Sequence, residues 1–127
     1  QQALWQEIAR ELEASGFESE AFGPRTIAVK AAPTGVLASG IDRLLREILE
    51  SVERETQPVT RAALERQIAA AVACHAAIKV NTPLAQTQME WLLRELARTE
   101  LPMTCPHGRP VVLQYSLREI QQAFKRI

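Results

Sequence analysis

The sequence has few cysteines, few aromatic residues and no excess of charge of either sign. Its 127 residues include two cysteines, and aromatic residues make up 5% of the chain. Two cysteines are too few for the disulfide framework of a small secreted domain, so we expect reduced thiols and an intracellular, cytoplasmic protein. Fifteen basic and fifteen acidic residues cancel. No global field therefore draws the chain to nucleic acid or acidic membranes, and any contact with DNA must be local or metal-assisted.

Long apolar runs and an initiator methionine are also absent. No window approaches the roughly 18 uncharged apolar residues of a membrane span, and no charged-then-apolar leader opens the chain. The sequence starts at Gln1, where a helical pattern is already under way. We therefore interpret it as part of a longer protein. Its length suits about one domain, large enough to bury a core.

The apolar spacing of the first forty residues predicts a helix and a hairpin. Residues 2–15 are amphipathic and end at Gly16, a usual helix stop. The predicted buried stripe consists of Leu4, Trp5, Ile8 and Leu12. Residues 17–22 and 26–30 have β character and flank a Gly-Pro turn, so they predict a hairpin packed on this helix.

A second amphipathic helix begins at Ile41 and has the most regular pattern in the sequence. Its apolar positions are Ile41, Leu44, Leu45, Ile48, Leu49 and Val52. This face must be buried. The polar segment 53–59 contains Pro58 and is the predicted boundary between two lobes.

The second half of the chain is predicted to be mostly helical. Its predicted elements are helices over 60–75, over 82–98 and from 116 onward, and a short strand over 111–115. Thr60, Thr82 and Ser116 are the predicted helix caps, and Ser116-x-x-Glu119 is a capping box. Pro83 is the predicted first residue of the helix that Thr82 caps. The helix over 82–98 is expected to bury Met89, Leu92, Leu93 and Leu96. The fold class is therefore α+β, with too few strands for a full sheet.

Residues 105–110, Cys-Pro-His-Gly-Arg-Pro, are the segment with most metal-binding chemistry. The thiolate of Cys105 and the imidazole of His107 can both point to one side of a proline-stiffened turn and bind one zinc-like ion. Such an ion takes about four ligands, so at least two must come from elsewhere. The plainer interpretation is a partly buried cysteine beside a hydrogen-bonded loop histidine, and the short pattern leaves both open.

Four other side chains are candidates by residue type. Cys74 is a possible ligand, although a lone cysteine is more often a core residue. His75 points about 100° away from Cys74 on a helix, so the two are not expected to bind the same ion. Arg109 and Lys79 have two interpretations each, a phosphate or carboxylate contact and a structural salt bridge.

Three motifs together resemble the C-terminal domain of the MutL family of DNA mismatch-repair proteins. They are Ala-Cys-His-Ala-Ala-Ile-Lys over 73–79, the segment over 105–110, and Phe-Lys-Arg over 124–126. The first helix with Gly16 and Phe17, and the strand ending near Pro33, are similar to that domain's external subdomain. The resemblance covers nearly the whole chain.

The resemblance implies a homodimerisation module that, in endonuclease-type members, also carries a metal-dependent site for nicking duplex DNA. By position, Cys74, Cys105 and His107 are the implied metal ligands, zinc the implied organising ion, and manganese or magnesium the implied ion for nicking. Arg109 is implied to shape the site or approach phosphate, and Lys79 is a further candidate for the same two roles. The implied partners of the parent protein are the mismatch-recognition protein MutS and a sliding clamp, and its ATP-binding domain lies outside this chain.

The sequence also departs from the family pattern. The family's Asp-Gln-His-Ala-x-x-Glu-x-x-x-x-Glu helix, which supplies its catalytic carboxylates, is not in these residues. The chain alone is therefore expected to be inactive as a nuclease. Two alternatives are a non-catalytic dimerisation and regulatory scaffold, and an independent zinc-binding domain.

The resemblance further implies a division of the chain into two subdomains. Residues 1–58 correspond to the helical-plus-hairpin external, regulatory subdomain, and residues 59–127 to the second half of an α/β dimerisation subdomain. The predicted strand over 111–115 then needs a partner from another segment or another chain, because an unpaired strand edge is a liability.

Overall fold

The computed structural model describes residues 2–127, apart from the side chains of residues 2–4 and Glu7. The described chain forms two compact units, Gln1–Val80 and Asn81–Ile127. The first unit contains helices α1 Gln2–Ala14, α2 Ile41–Glu53 and α3 Arg61–Ala76, strands β1 Glu18–Ala21 and β2 Ile27–Ala31, and a short 3-10 turn, Ala38–Gly40. The second contains helices α4 Gln86–Ala97 and α5 Leu117–Ala123. The α+β class is confirmed.

Helix α1 buries the predicted stripe and ends at the predicted glycine. Trp5, Ile8 and Leu12 are 5%, 2% and 0% exposed, whereas the side chain of Leu4 lies outside the described residues. Gly16 adopts the left-handed conformation at φ 96°, which glycine reaches without steric cost. Its N–H donates to the Glu13 carbonyl, and the following N–H, that of Phe17, to the Leu12 carbonyl. These two bonds satisfy the carbonyls that the helix end leaves open.

The predicted hairpin forms directly after this turn. Strands β1 and β2 pair antiparallel, with Ser19 opposite Val29 and Ala21 opposite Ile27. Ile27 and Val29 of β2 both pack against the core. A cross-strand ion pair joins Lys30 Nζ to a Glu20 carboxylate oxygen at 2.8 Å. Since the carboxylate accepts a hydrogen bond from the ammonium and attracts it, the pKa of Lys30 is raised.

The core of the first unit lies between α1, α2 and α3. Its remaining buried members are Phe17, Leu44, Leu45, Ile48, Leu49, Leu64, Ile68 and Ala71. Helix α3 begins as predicted, because the Thr60 hydroxyl oxygen accepts a hydrogen bond from the Ala63 N–H at 3.2 Å. At the same end, Arg61 Nε lies 3.1 Å from carboxylate oxygens of both Glu11 and Glu65. Arg61 thereby ties α3 to α1.

The backbone contacts divide this chain between Val80 and Asn81. Helix α3 therefore belongs with α1 and α2 in the first unit. The predicted division at 58/59 concerns correspondence with the subdomains of a family, and it stays a prediction. No described helix has the length and apolar character needed to cross a membrane.

Helix α4 differs from its prediction in start and burial. It begins at Gln86, not near Pro83, because the Gln88 side-chain oxygen accepts the Ala85 N–H at 2.9 Å and fixes the start there. Leu92 and Leu96 are half-buried, but Met89 and Leu93 are 45% and 68% exposed. Their predicted burial is wrong for this chain, because every residue of the second unit is described and none is buried.

The predicted strand over 111–115 is also wrong for this chain. These residues are in neither a strand nor a helix. A strand is defined by a ladder with a neighbour, and here the N–H groups of Val111 and Val112 both donate to the single Met103 carbonyl. Helix α5 begins at the predicted capping box, in which the Ser116 hydroxyl accepts the Glu119 N–H and the Glu119 carboxylate accepts the Ser116 N–H.

Candidate metal centre

The segment Cys105–Pro110 forms a tight turn whose ends are bridged by Thr104 and Pro110. The Cys105 N–H donates to the Arg109 carbonyl at 2.8 Å, and the Gly108 N–H donates to the Cys105 carbonyl at 2.9 Å. Gly108 has φ 79°, so the chain reverses at a residue that tolerates the left-handed region. The order of residue types therefore explains the turn, with proline for stiffness and glycine for reversal.

This turn brings together the two metal-capable side chains that the sequence singled out. The Cys105 sulfur and a ring nitrogen of His107 lie within 4.8 Å of one another. A tetrahedral zinc ion holds sulfur and nitrogen ligands about 3.5 Å apart, by its usual bond lengths. Modest side-chain rotation would bring this pair onto one ion. Cys105 is half-buried and His107 is exposed, so the imidazole is accessible.

The turn also places a backbone donor on the sulfur. The Arg109 N–H donates to Cys105 Sγ at 3.4 Å. An N–H donor stabilises negative charge on sulfur, and the thiolate is the form that binds metal. Sequence reasoning considered only the guanidinium of Arg109 and missed this backbone role. The position of Arg109, directly after the turn glycine, was the available signal.

Cys74 lies in the last turn of α3, in the first unit, and is half-buried. Its neighbour His75 points to α2, where its Nε2 lies 3.0 Å from a Glu47 carboxylate oxygen. A helical step of about 100° separates the Cys74 side chain from that of His75. The assignment of Cys74 as a ligand together with Cys105 and His107 stays a prediction.

Lys79 has a role that the sequence did not indicate. Its ammonium group donates to the carbonyl oxygens of Cys74 at 2.9 Å and His75 at 3.1 Å. The side chain therefore closes the C-terminal end of α3, where a cation is favoured by the helix dipole. This arrangement differs from the phosphate contact and the salt bridge considered from residue type, and the prediction that Lys79 contacts phosphate or shapes the site stays a prediction.

The donor set fits zinc better than magnesium or manganese. Cys105 offers sulfur and His107 nitrogen, which are preferred by zinc, whereas magnesium and manganese favour carboxylate and other oxygen ligands. The turn thus has the composition of one half of a zinc site.

Comparison with known proteins agrees with the motifs. Residues 1–84 match the model of a family described as the MutL C terminal dimerisation domain. The chain is 61% identical over its whole length to the DNA mismatch repair protein MutL of Koribacter versatilis, and 53% to that of Acidobacterium capsulatum. It spans about a fifth of these relatives, 20% and 19% of their lengths. The chain therefore belongs to the family of MutL C-terminal dimerisation domains.

Proposed function

We propose that this chain is the dimerising part of a bacterial mismatch-repair protein and that it supplies zinc ligands to a DNA-nicking site. Cys74, Cys105 and His107 are the proposed ligands. The observation that carries the proposal is the turn over 105–110, which holds a sulfur and a ring nitrogen within 4.8 Å of one another and directs a backbone N–H to the sulfur.

The roles of these residues follow from their chemistry. Cys105 contributes a thiolate whose charge is stabilised by the Arg109 N–H, and His107 contributes a neutral ring nitrogen. Sulfur and nitrogen are soft ligands that zinc prefers, so the proposed role of these residues is to organise the site. The carboxylates expected for manganese or magnesium belong to a motif that is absent from this sequence. When bound at the intact site, divalent ions supply polarisation of the phosphodiester and activation of water. The proposed role of Arg109, an exposed residue of this turn, is to contact a DNA phosphate through its guanidinium.

The proposed partner for dimerisation is a second copy of the chain. The family description names dimerisation, and the second unit presents a row of exposed apolar side chains. Leu113 and Tyr115 are 68% and 62% exposed, and Leu117 is 70% exposed. Residues 111–115 lack a ladder within the chain, so a copy of the same segment offers both apolar surface and backbone groups to pair with.

The remaining proposed partners are those of the longer protein. They are duplex DNA, the mismatch-recognition protein MutS and a sliding clamp, in the bacterial cytoplasm. The relatives are DNA mismatch repair proteins of about five times this length, which supports these partners for the parent protein.

Metal analysis of the purified chain tests the zinc proposal. The unaltered chain is expected to hold about one zinc per chain, and Cys105→Ser and His107→Gln to lose most of it, since each removes one ligand. The chain has two histidines, so His75→Gln is the matched control: glutamine can still donate a hydrogen bond to Glu47, the partner of His75, and the variant is expected to keep its zinc. Unchanged zinc content in Cys105→Ser and His107→Gln would contradict the proposal.

The nicking role is tested in the longer protein. Cys105→Ser there is expected to reduce manganese-dependent nicking of supercoiled DNA at least tenfold, the usual scale for a disturbed metal site. His75→Gln again serves as the control. Zinc binding without any nicking by the unaltered longer protein would favour the non-catalytic scaffold instead.

A further inference from the structure

Helix α3 ends without the glycine turn that closes α1. The residue after it, Ala77, leaves the helix at φ −60° and ψ 147° and donates its N–H back to the Ala73 carbonyl at 3.0 Å. The next carbonyls, of Cys74 and His75, belong to the group that a helix end leaves open. Both accept from the Lys79 ammonium group. Lys79 thus does with a charged side chain what Gly16 does with backbone geometry at the end of α1.

We infer that Lys79 is a positioning residue for the Cys74 thiolate, an inference that rests on the proposed zinc site. One of the two carbonyls held by Lys79 is that of Cys74 itself. The last turn of a helix frays readily, and fraying at this carbonyl would change the direction in which Cys74 presents its sulfur. Metal ligands need a fixed direction, which groups behind the ligand provide.

Two further contacts hold the same helical turn from other sides. His75 is tied to Glu47 of α2 at 3.0 Å. The loop before α2 approaches closely at Gly35, where a Cβ atom would lie 3.2 Å from the Ala76 Cβ. These contacts fix the helix axis and its packing, whereas the Cys74 carbonyl is held by Lys79. The role of Lys79 is therefore local to the ligand.

The positive charge of Lys79 also stabilises the end of α3. An ammonium group at a helix C-terminus opposes the partial negative charge of the open carbonyls. Two of its three N–H donors are used by the carbonyls, which accounts for its fixed place at the helix end. Methionine at this position keeps the apolar stem and removes both the donors and the charge.

Zinc affinity of the whole 127-residue chain, measured by competition with a chromophoric chelator, tests the inference. Lys79→Met is expected to weaken zinc binding about tenfold, the scale observed for groups that support a ligand. Lys79→Arg keeps the charge and the donors. Its zinc affinity is expected to stay within about twofold of that of the unaltered chain, well below the tenfold loss expected for Lys79→Met. Lys30→Met is the control, because Lys30 is also paired, at 2.8 Å to Glu20, but lies on the hairpin.

Cobalt in place of zinc gives a second readout that a purely structural role would not change. The thiolate-to-cobalt absorption band is expected to weaken in Lys79→Met and to recover in Lys79→Arg. Cys74→Ser gives the spectrum with that sulfur removed. Far-UV circular dichroism checks folding, and Lys79→Gln replaces Lys79→Met if the latter does not fold.

The outcomes separate this inference from the zinc proposal. If the unaltered chain binds no zinc, or Cys74→Ser binds it equally well, the assignment of Cys74 as a ligand fails. If Cys74→Ser loses affinity but Lys79→Met keeps the affinity and the cobalt spectrum, the inference about Lys79 is overturned. A variant that loses only thermal stability likewise overturns it, since Lys79 would then be only a helix cap.

Discussion

Helices α2 and α4 are both amphipathic, yet only α2 buries its apolar face. Leu44 of α2 is fully buried, whereas Leu93 of α4 is 68% exposed. The same contrast holds for the two units. All eleven core residues that the structure describes as buried belong to the first unit, and none of the residues of the second, all of which are described, is buried. Periodicity therefore selects a face, but burial needs another element to cover it.

The first unit has the elements to cover its own apolar surface. Three helices and a hairpin enclose one core there. The second unit has two helices, of which α5 is seven residues long, and helices shorter than about 12 residues are marginal without packing. Its order thus depends more on local hydrogen bonds than that of the first unit. Three predictions test this difference.

Alanine substitution of one leucine in each unit, Leu44 or Leu93, should give the largest difference in the free energy of unfolding. Leu44→Ala is expected to lower the free energy of unfolding by about 3 kcal/mol, since it leaves a cavity in a closed core. Leu93→Ala is expected to change it by less than about 0.5 kcal/mol at concentrations where the chain is monomeric. Urea denaturation followed by circular dichroism measures both. Equal losses would show that α4 is buried in solution and would remove the contrast.

Replacing one exposed leucine in each unit, Leu113 or Leu37, by aspartate tests which unit binds the second copy of the chain. Leu113→Asp in the second unit is expected to weaken dimerisation at least tenfold, about 1.4 kcal/mol, because a carboxylate would be buried in the proposed interface. Leu37→Asp in the first unit is the control, since Leu37 is similarly exposed, 72% against 68%. Analytical ultracentrifugation over a concentration series measures both. A larger effect of Leu37→Asp would place the interface on the first unit.

The pH dependence of α5 should give the smallest effect. Hydrogen bonds from the Ser116 hydroxyl and backbone N–H lower the pKa of Glu119 below its usual 4.5. A depressed folded-state pKa adds stability above the unfolded pKa, and this stability is lost as pH falls through the folded value. The α5 amides are therefore expected to lose exchange protection only below about pH 4.5.

Glu119→Gln is the control for that titration, because glutamine also completes a capping box but does not ionise. In this variant the exchange protection of the α5 amides is expected not to fall over the same pH range. Hydrogen exchange read by NMR at several pH values checks both chains. Equal pH dependence in both would show that another group controls α5.

The local signals in the sequence predicted most of the elements. Gly16, Thr60 and the Ser116–Glu119 box mark helix ends where the structure has them, because capping depends on residues within one turn. The start of α4 was predicted from Thr82 and Pro83 and was wrong, since Gln88 supplies its cap from inside the helix. The prediction of a strand over 111–115 was wrong for a different reason. A strand needs a neighbouring strand for its hydrogen bonds, and the local sequence does not show whether one is present.

At the candidate metal centre, too, the sequence predicted some features and missed others. Residue types and spacing predicted a turn at 105–110 with Cys105 and His107 on one side, because proline and glycine restrict so short a segment. The N–H from Arg109 to sulfur and the hold of Lys79 on the Cys74 carbonyl were not predicted. Both depend on hydrogen-bond geometry at the ends of a turn and a helix.

The sequence by itself determined the end of α1, the starts of α3 and α5, the hairpin, the apolar faces and the chemistry of the 105–110 turn. Each of these depends on interactions between residues within a few positions of one another. Tertiary structure alone decided which apolar faces are buried and which distant side chains meet, such as His75 of α3 and Glu47 of α2. Burial and long-range hydrogen bonds depend on the elements that meet in space, and residue spacing along the chain does not specify them.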